Sequence, residues 1–243
     1  MVDAKVLAPQ RAYARLAGLM YLAVLALDIA GVAITSAVHG NGSFLDASHR
    51  IAASETLYRV GLLCGVAGSL STIVLAVGLY VTLKPVDGNL ALTAMLFRLV
   101  EAASIGTAGF GTLQIYLAAN HANVFSTNQL GALVDLTSAG SGTYVGAIFF
   151  CVGSTIFFLL FLRSAYIPKI LAAWGVFASL VYLLAFIGSA VGPQESGIFL
   201  GIGSIPILIA EVSTAFWLLI KGINVGPAES RRIREQEAMG ETR

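Results

Sequence analysis

The sequence predicts an all-α integral membrane bundle of six transmembrane helices with both termini in the cytoplasm. Three observations carry that expectation: the composition, the spacing of long apolar runs, and the one-sided distribution of Lys and Arg. Of 243 residues, 57% are hydrophobic and 11% are charged, and the mean hydropathy is +0.85. A soluble domain carries about 25% charged residues, so this chain has too little polar surface to cover itself in water. The bilayer is its expected partner. A formal net charge of +1 leaves no basic excess to attract a polyanion, which argues against a nucleic-acid partner. The two cysteines, Cys64 and Cys151, sit in apolar runs without metal-ligand spacing, so neither a disulfide framework nor a zinc site is expected.

A helix needs about 20 apolar residues to cross the hydrocarbon core. Six segments qualify, at 16–36, 57–83, 90–118, 144–162, 170–191 and 198–220. Turn-forming stretches separate them: His39-Gly40-Asn41-Gly42, Lys84-Pro85-Val86-Asp87-Gly88-Asn89 and Gly192-Pro193. In the loop at 44–55, Asp46, Arg50 and Glu55 alternate with apolar residues, which predicts a short interfacial helix; a second is expected at 128–136. The first span resembles a signal peptide in its basic start. Its length and its internal Asp28 favour a retained helix.

Orientation follows from the positive charges, which cytoplasmic loops retain. Lys5, Arg11, Arg15, Lys84, Arg163, Lys169, Lys221, Arg231, Arg232, Arg234 and Arg243 fall on one side, and Arg50 and Arg59 on the other. Both termini therefore share the cytoplasmic side, which requires the even number of spans counted from hydropathy. The expected divisions are a cytoplasmic N-terminus at 1–15, a six-helix domain at 16–221 and a charged cytoplasmic tail at 222–243. That tail either extends the last helix or is disordered.

Four ionisable residues stand inside apolar spans: Asp28, Arg98, Glu101 and Glu211. Each costs roughly 2.5 to 3.5 kcal/mol near the bilayer centre on insertion scales, so each calls for a partner, a proton or a function. Counted from the cytoplasmic ends at about 1.5 Å per residue, the three acids reach similar depths near mid-membrane. Arg98 precedes Glu101 by one turn, on the same helix face. Tyr21, Gly31 and Thr35 accompany Asp28, and Ser204 and Thr214 accompany Glu211 near Pro206, so these faces are expected to point inward. If helices one, three and six converge, three carboxylates meet one guanidinium. At least one acid is then protonated, or a cation or cationic ligand enters.

Other residue patterns have plainer readings. Gly61, Gly65, Gly68 and Ser69, and likewise Gly142, Gly146 and Gly153, form small-residue faces suited to intramolecular helix packing; they do not by themselves indicate an oligomer. His39, His49 and His121 are expected in outward-facing loops, without a ligand signature, so no metal site is assigned. Glu55 and Arg59 have the spacing of an i,i+4 ion pair. Tyr80, Tyr116, Trp174 and Trp217 near span ends read as interfacial anchors. A phosphate loop, a nucleophile elbow and a zinc-protease helix are all absent from the sequence, and no cofactor is called for.

The stretches Arg15-Leu16-Ala17-Gly18-Leu19-Met20-Tyr21-Leu22, Tyr58-Arg59-Val60-Gly61-Leu62, Phe97-Arg98-Leu99-Val100-Glu101-Ala102 and Ile167-Pro168-Lys169-Ile170-Leu171 carry a resemblance, together with Glu211 and the run Trp217-Leu218-Leu219-Ile220-Lys221-Gly222. In order and spacing they resemble the bacterial domain-of-unknown-function 4386 family from about residue 15 to residue 224. The resemblance implies a six-helix bacterial inner-membrane protein and singles out Arg98, Glu101, Glu211 and Lys221. It implies no known activity. The leading expectation from the residues is binding or transport of a small molecule, cation or proton, with Glu101 and Glu211 as acceptors and Arg98 tuning them. One alternative is an intramembrane enzyme acting on a lipid or isoprenoid-like substrate with a protonated acid as general acid. The other is a structural protein whose ion pairs hold the bundle.

Overall fold

The computed structural model describes residues 4–106, 109–120, 125–139, 142–191 and 197–224, and among them every regular element is helical. The elements are α1 (Ala4–His39), α2 (Phe44–Ala53), α3 (Glu55–Leu83), α4 (Gly88–Gly106) and α5 (Phe110–Ala118). They continue as α6 (Thr127–Ala139), α7 (Gly142–Ser164), α8 (Lys169–Val191) and α9 (Gly197–Phe216), which ends in a π-turn at Trp217–Lys221. Six stretches are long and apolar enough to span: Gln10–His39, Glu55–Leu83, Gly88–Ala118, Val145–Ser164, Lys169–Gly188 and Gly203–Lys221. Each overlaps a span expected from the sequence.

The differences have local causes. The third span, expected as one helix, is described as α4 and α5. Gly109 starts α5 with φ +91°, a left-handed conformation that breaks helical continuity and favours glycine, and a Cβ there would lie 2.8 Å from Leu62. The last helix does not run on into the tail as far as the described residues go. Gly222 stops it at φ +69°, with its amide donating to the carbonyl of Trp217 at 3.1 Å. Residues 225–243, His121 and Gly192-Pro193 lie outside the described residues. Both short helices expected outside the spans are present, as α2 and α6.

The chain forms two compact units. The first takes residues up to 22, 72–99 and from 147 onward; the second takes 23–71 and 100–146. In the first, Phe157, Phe158, Leu160 and Phe161 of α7 are buried with Leu75, Leu79 and Leu83 of α3 and Ala210, Ala215 and Leu218 of α9. Gly18 lets α1 meet α9 backbone to backbone, since a Cβ there would lie 2.7 Å from both the Ala215 oxygen and the Leu219 nitrogen. In the second, Val38, Ala47, Ile51, Tyr58, Leu113, Tyr116 and Val134 make the core.

Gly61, Gly68, Gly146 and Gly153 of the predicted glycine faces pack against other helices of the chain, whereas nothing lies within 4 Å of a Cβ at Gly65. A Cβ on Gly31 of α1 would lie 2.9 Å from the Gly61 carbonyl of α3, and one on Gly146 of α7 would lie 2.8 Å from Ile105 of α4. A polar network closes the α2 end of the second unit. Arg50 of α2 donates through Nε and Nη2 to the His39 carbonyl at 2.9 and 2.6 Å and through Nη2 to Asn41 at 3.0 Å, satisfying carbonyls at the end of α1. Ser48 donates to the Tyr116 carbonyl at 2.7 Å, and Asn120 donates to Ser48 Oγ at 2.8 Å.

Candidate functional site

The four intramembrane charges divide between the units. Arg98 and Glu211 belong to the first, and Asp28 and Glu101 to the second. Arg98 and Glu101 are both buried, 3% and 7% exposed, one turn apart on α4. An amphipathic helix brings such residues into the bundle because the alternative, a charge facing lipid, costs more than burying it against polar and aromatic groups.

In the first unit Arg98 has a built environment. Gly153 lets α7 approach α4 closely: a Cβ there would lie 3.2 Å from the Ala94 carbonyl and 3.3 Å from Arg98 Cγ. The guanidinium therefore reaches α7 directly. Its Nη1 donates to Ser154 Oγ at 3.2 Å, and its Cζ lies 4.7 Å from the centre of the Phe150 ring. A cation over an aromatic face gains about 0.5 to 2 kcal/mol, with the larger values where water is excluded.

Phe150 connects this cation to the acid of α9. Its ring meets Tyr182 of α8 edge to face, with centres 6.2 Å apart, and the Tyr182 hydroxyl lies within electrostatic range of Glu211 and Cys151. Gly203 supports this placement, because a Cβ there would lie 3.2 Å from Tyr182 Cδ2. One turn beyond Glu211, Thr214 is fully buried. Arg98, Ser154, Phe150, Tyr182, Glu211 and Thr214 thus make a polar and aromatic site inside the first unit.

The second unit holds its acids differently. Glu101 is buried on α4, whereas Asp28 is exposed, and its carboxylate lies over Gly68 of α3, filling the place a Cβ would occupy. The expected polar seam around Asp28 is divided as well. Tyr21 joins the core of the first unit, while Thr35 back-bonds to the Gly31 carbonyl at 2.9 Å in the second.

Several flanking expectations are now resolved. Arg59 pairs with Glu55 at 2.6 Å, as the spacing predicts. Trp174 donates from Nε1 to the Pro206 carbonyl at 3.1 Å. Tyr116, expected as an interfacial anchor, is instead buried in the second unit, stacked on Phe44 and 3.0 Å from His39 Nε2. His39 and His49 sit in helices α1 and α2 and not in loops, and His39 Nδ1 lies 2.8 Å from the Gly40 carbonyl. The sequence gives no signal for Ser154, Phe150 or Tyr182, because their spacing to Arg98 and Glu211 exists only across helices. Trp217 was legible only as an anchor, although its indole nitrogen is buried.

Comparison with known proteins places the chain. Residues 16–222 match the family described as Domain of unknown function (DUF4386). A similar protein from Archaeoglobus fulgidus, described as uncharacterized, is 34% identical over 154 residues, covering 62% of this chain and 76% of that one. No solved structure matches. An all-helical membrane chain that matches one family along most of its length belongs to it: this protein is a member of the DUF4386 family.

Proposed function

We propose that this multi-pass membrane protein binds, and carries across the bilayer, a proton, a cation or a small cationic molecule, using its intramembrane carboxyls as acceptors. The observation that carries the reading is the arrangement in the first unit. Arg98 and Glu211 stand at the two ends of the Phe150–Tyr182 pair, with the cation already engaged by Ser154 and Phe150. The unit therefore holds a guanidinium and a carboxyl of opposite charge inside the membrane-spanning segments, where an acid calls for a proton or a cation. Glu101 and Asp28 supply further acids in the second unit, each an intramembrane carboxyl that calls for a proton or a cation. The Lys and Arg distribution supports placement in the cytoplasmic membrane with both termini inside.

The test is native mass spectrometry of wild type, Glu101→Gln and Glu211→Gln, with melting temperature followed in parallel. The expected result is a bound small molecule, or a proton-linked uptake signal in vesicles, that is lost in variants of near-wild-type stability. A second reading, an internal scaffold, draws on the same Ser154 and Phe150 contacts of Arg98. It predicts a large drop in melting temperature and no separate loss of a ligand.

A further inference from the structure

Among the described residues of the first unit, Thr214 Oγ1, Trp217 Nε1 and Gln10 Oε1 are buried and make no hydrogen bond. Thr214 and Gln10 are each 0% exposed. A buried hydroxyl on a helix ordinarily bonds back to the carbonyl four residues earlier. Thr82 and Ser179 do so here, at 2.7 and 2.8 Å. Thr214 does not. A buried polar group without a hydrogen bond carries its full desolvation cost, so these three call for partners from outside the chain.

Their positions form a sequence along one direction. Thr214 and Trp217 follow Glu211 at i+3 and i+6, which carries them about 4.5 and 9 Å toward the Lys221 end of α9. There the helix widens into the π-turn, a feature frequent at functional sites. Gln10 stands at that same end. Its Nε2 donates to Thr82 and to the Tyr166 hydroxyl, and the Tyr166 carbonyl in turn accepts from the Asn224 amide at 2.8 Å. Toward the other end of α9, Ser204 donates to the Gly201 carbonyl, and Trp174 of α8 donates to the Pro206 carbonyl.

We propose that water enters the first unit at the Lys221 end of α9 and runs past Gln10, Trp217 and Thr214 to Glu211, giving that carboxyl access to one side of the membrane. The chemistry of the three groups suits water. The indole is a donor only, the amide oxygen an acceptor only, and the hydroxyl both, and a water molecule is the smallest partner able to answer all three. Along this path the Glu211 carboxyl loses its proton to the adjoining water, which passes one of its own toward the surface. The final step rests on the reading of Glu211 as an acceptor; the path itself does not.

Accessibility of single cysteines tests it. In full-length protein with Cys64 and Cys151 replaced by Ala, the variants Thr214→Cys, Gln10→Cys and Leu218→Cys are exposed to silver ion from either face of oriented vesicles. Blocked thiols are then counted after denaturation. Leu218 is fully buried in the apolar core beside the path and serves as the dry control. The expected result is modification of Cys at 214 and 10 from the Lys221 face only, roughly tenfold faster than at 218. Rates equal to the control, or modification from the opposite face, overturn the proposal. Thr214→Val gives an independent measurement: it lowers the melting temperature if the hydroxyl is hydrated, and a higher melting temperature counts against the path. Labelling at 214 and 10 with no effect of Glu211→Gln on ligand or proton uptake retains the path and removes the role of Glu211. No labelling together with a Glu211→Gln defect does the reverse.

Discussion

Gly18 and Gly65 look alike in the sequence, each a glycine inside an apolar helix. Their surroundings separate them. A methyl group at Gly18 would meet backbone atoms of α9 at 2.7 Å, and backbone cannot rotate away, whereas nothing lies within 4 Å of one at Gly65. Gly18→Ala is therefore expected to destabilise by about 1 to 3 kcal/mol, the usual cost of overpacking. Gly65→Ala gains up to about 1 kcal/mol of helix propensity and should be neutral or stabilising. Thermal melts of the two variants in one detergent check the sign of each. The same distinction applies to the charges. That Arg98, Glu101 and Glu211 need company is legible from their apolar neighbours, but Ser154 as the acceptor for Arg98 is not, since the two lie 56 residues apart.

At the scale of the element, α2 is the clearest case of local sequence writing local structure. Ser43 accepts from the Asp46 amide at 3.2 Å, and Asp46 Oδ2 accepts from the Ser43 amide at 3.1 Å and from its hydroxyl at 2.7 Å, a reciprocal cap. The Ser43 hydroxyl, then its amide, hold the Asp46 carboxyl below its ordinary value of 3.8. Because the folded value is the lower one, the cap contributes fully above the unfolded value. Its contribution is lost as pH falls below 3.8 through the folded value. Amide exchange in the first turn of α2 should accelerate over that acid range in the wild type. Asp46→Asn should exchange faster at neutral pH and show no such transition, and an unchanged wild-type profile would count against the cap. The third span illustrates the opposite limit. Hydropathy reads it as continuous, yet a left-handed Gly109 divides it, because hydropathy averages over a window while the break depends on a single φ angle.

For the whole molecule, the positive charges predict a topology that fusion reporters can read. A fluorescent-protein fusion after Arg243, or within 84–87, should fluoresce, and an alkaline phosphatase fusion at 40–42 should be active. Replacing Arg163 and Lys169 by Glu should weaken this orientation by removing the charge that holds the turn between α7 and α8 inside. Phosphatase activity at the C-terminus would reverse the assignment, and with it the side from which the Lys221 end of α9 is reached.

Membrane residence, the number of spans and the depth of the acids follow from composition and from the 1.5 Å rise of a helix, quantities that depend on the chain alone. Packing obeys different physics. The division into two units, the burial of Glu101 against the exposure of Asp28, and the seating of Arg98 on Phe150 depend on which helix faces meet. Inside a bilayer, lipid tails are as apolar as Leu, so hydrophobicity does not choose those faces. The close approaches at Gly18, Gly31 and Gly153 do, and their partners lie far away in the chain.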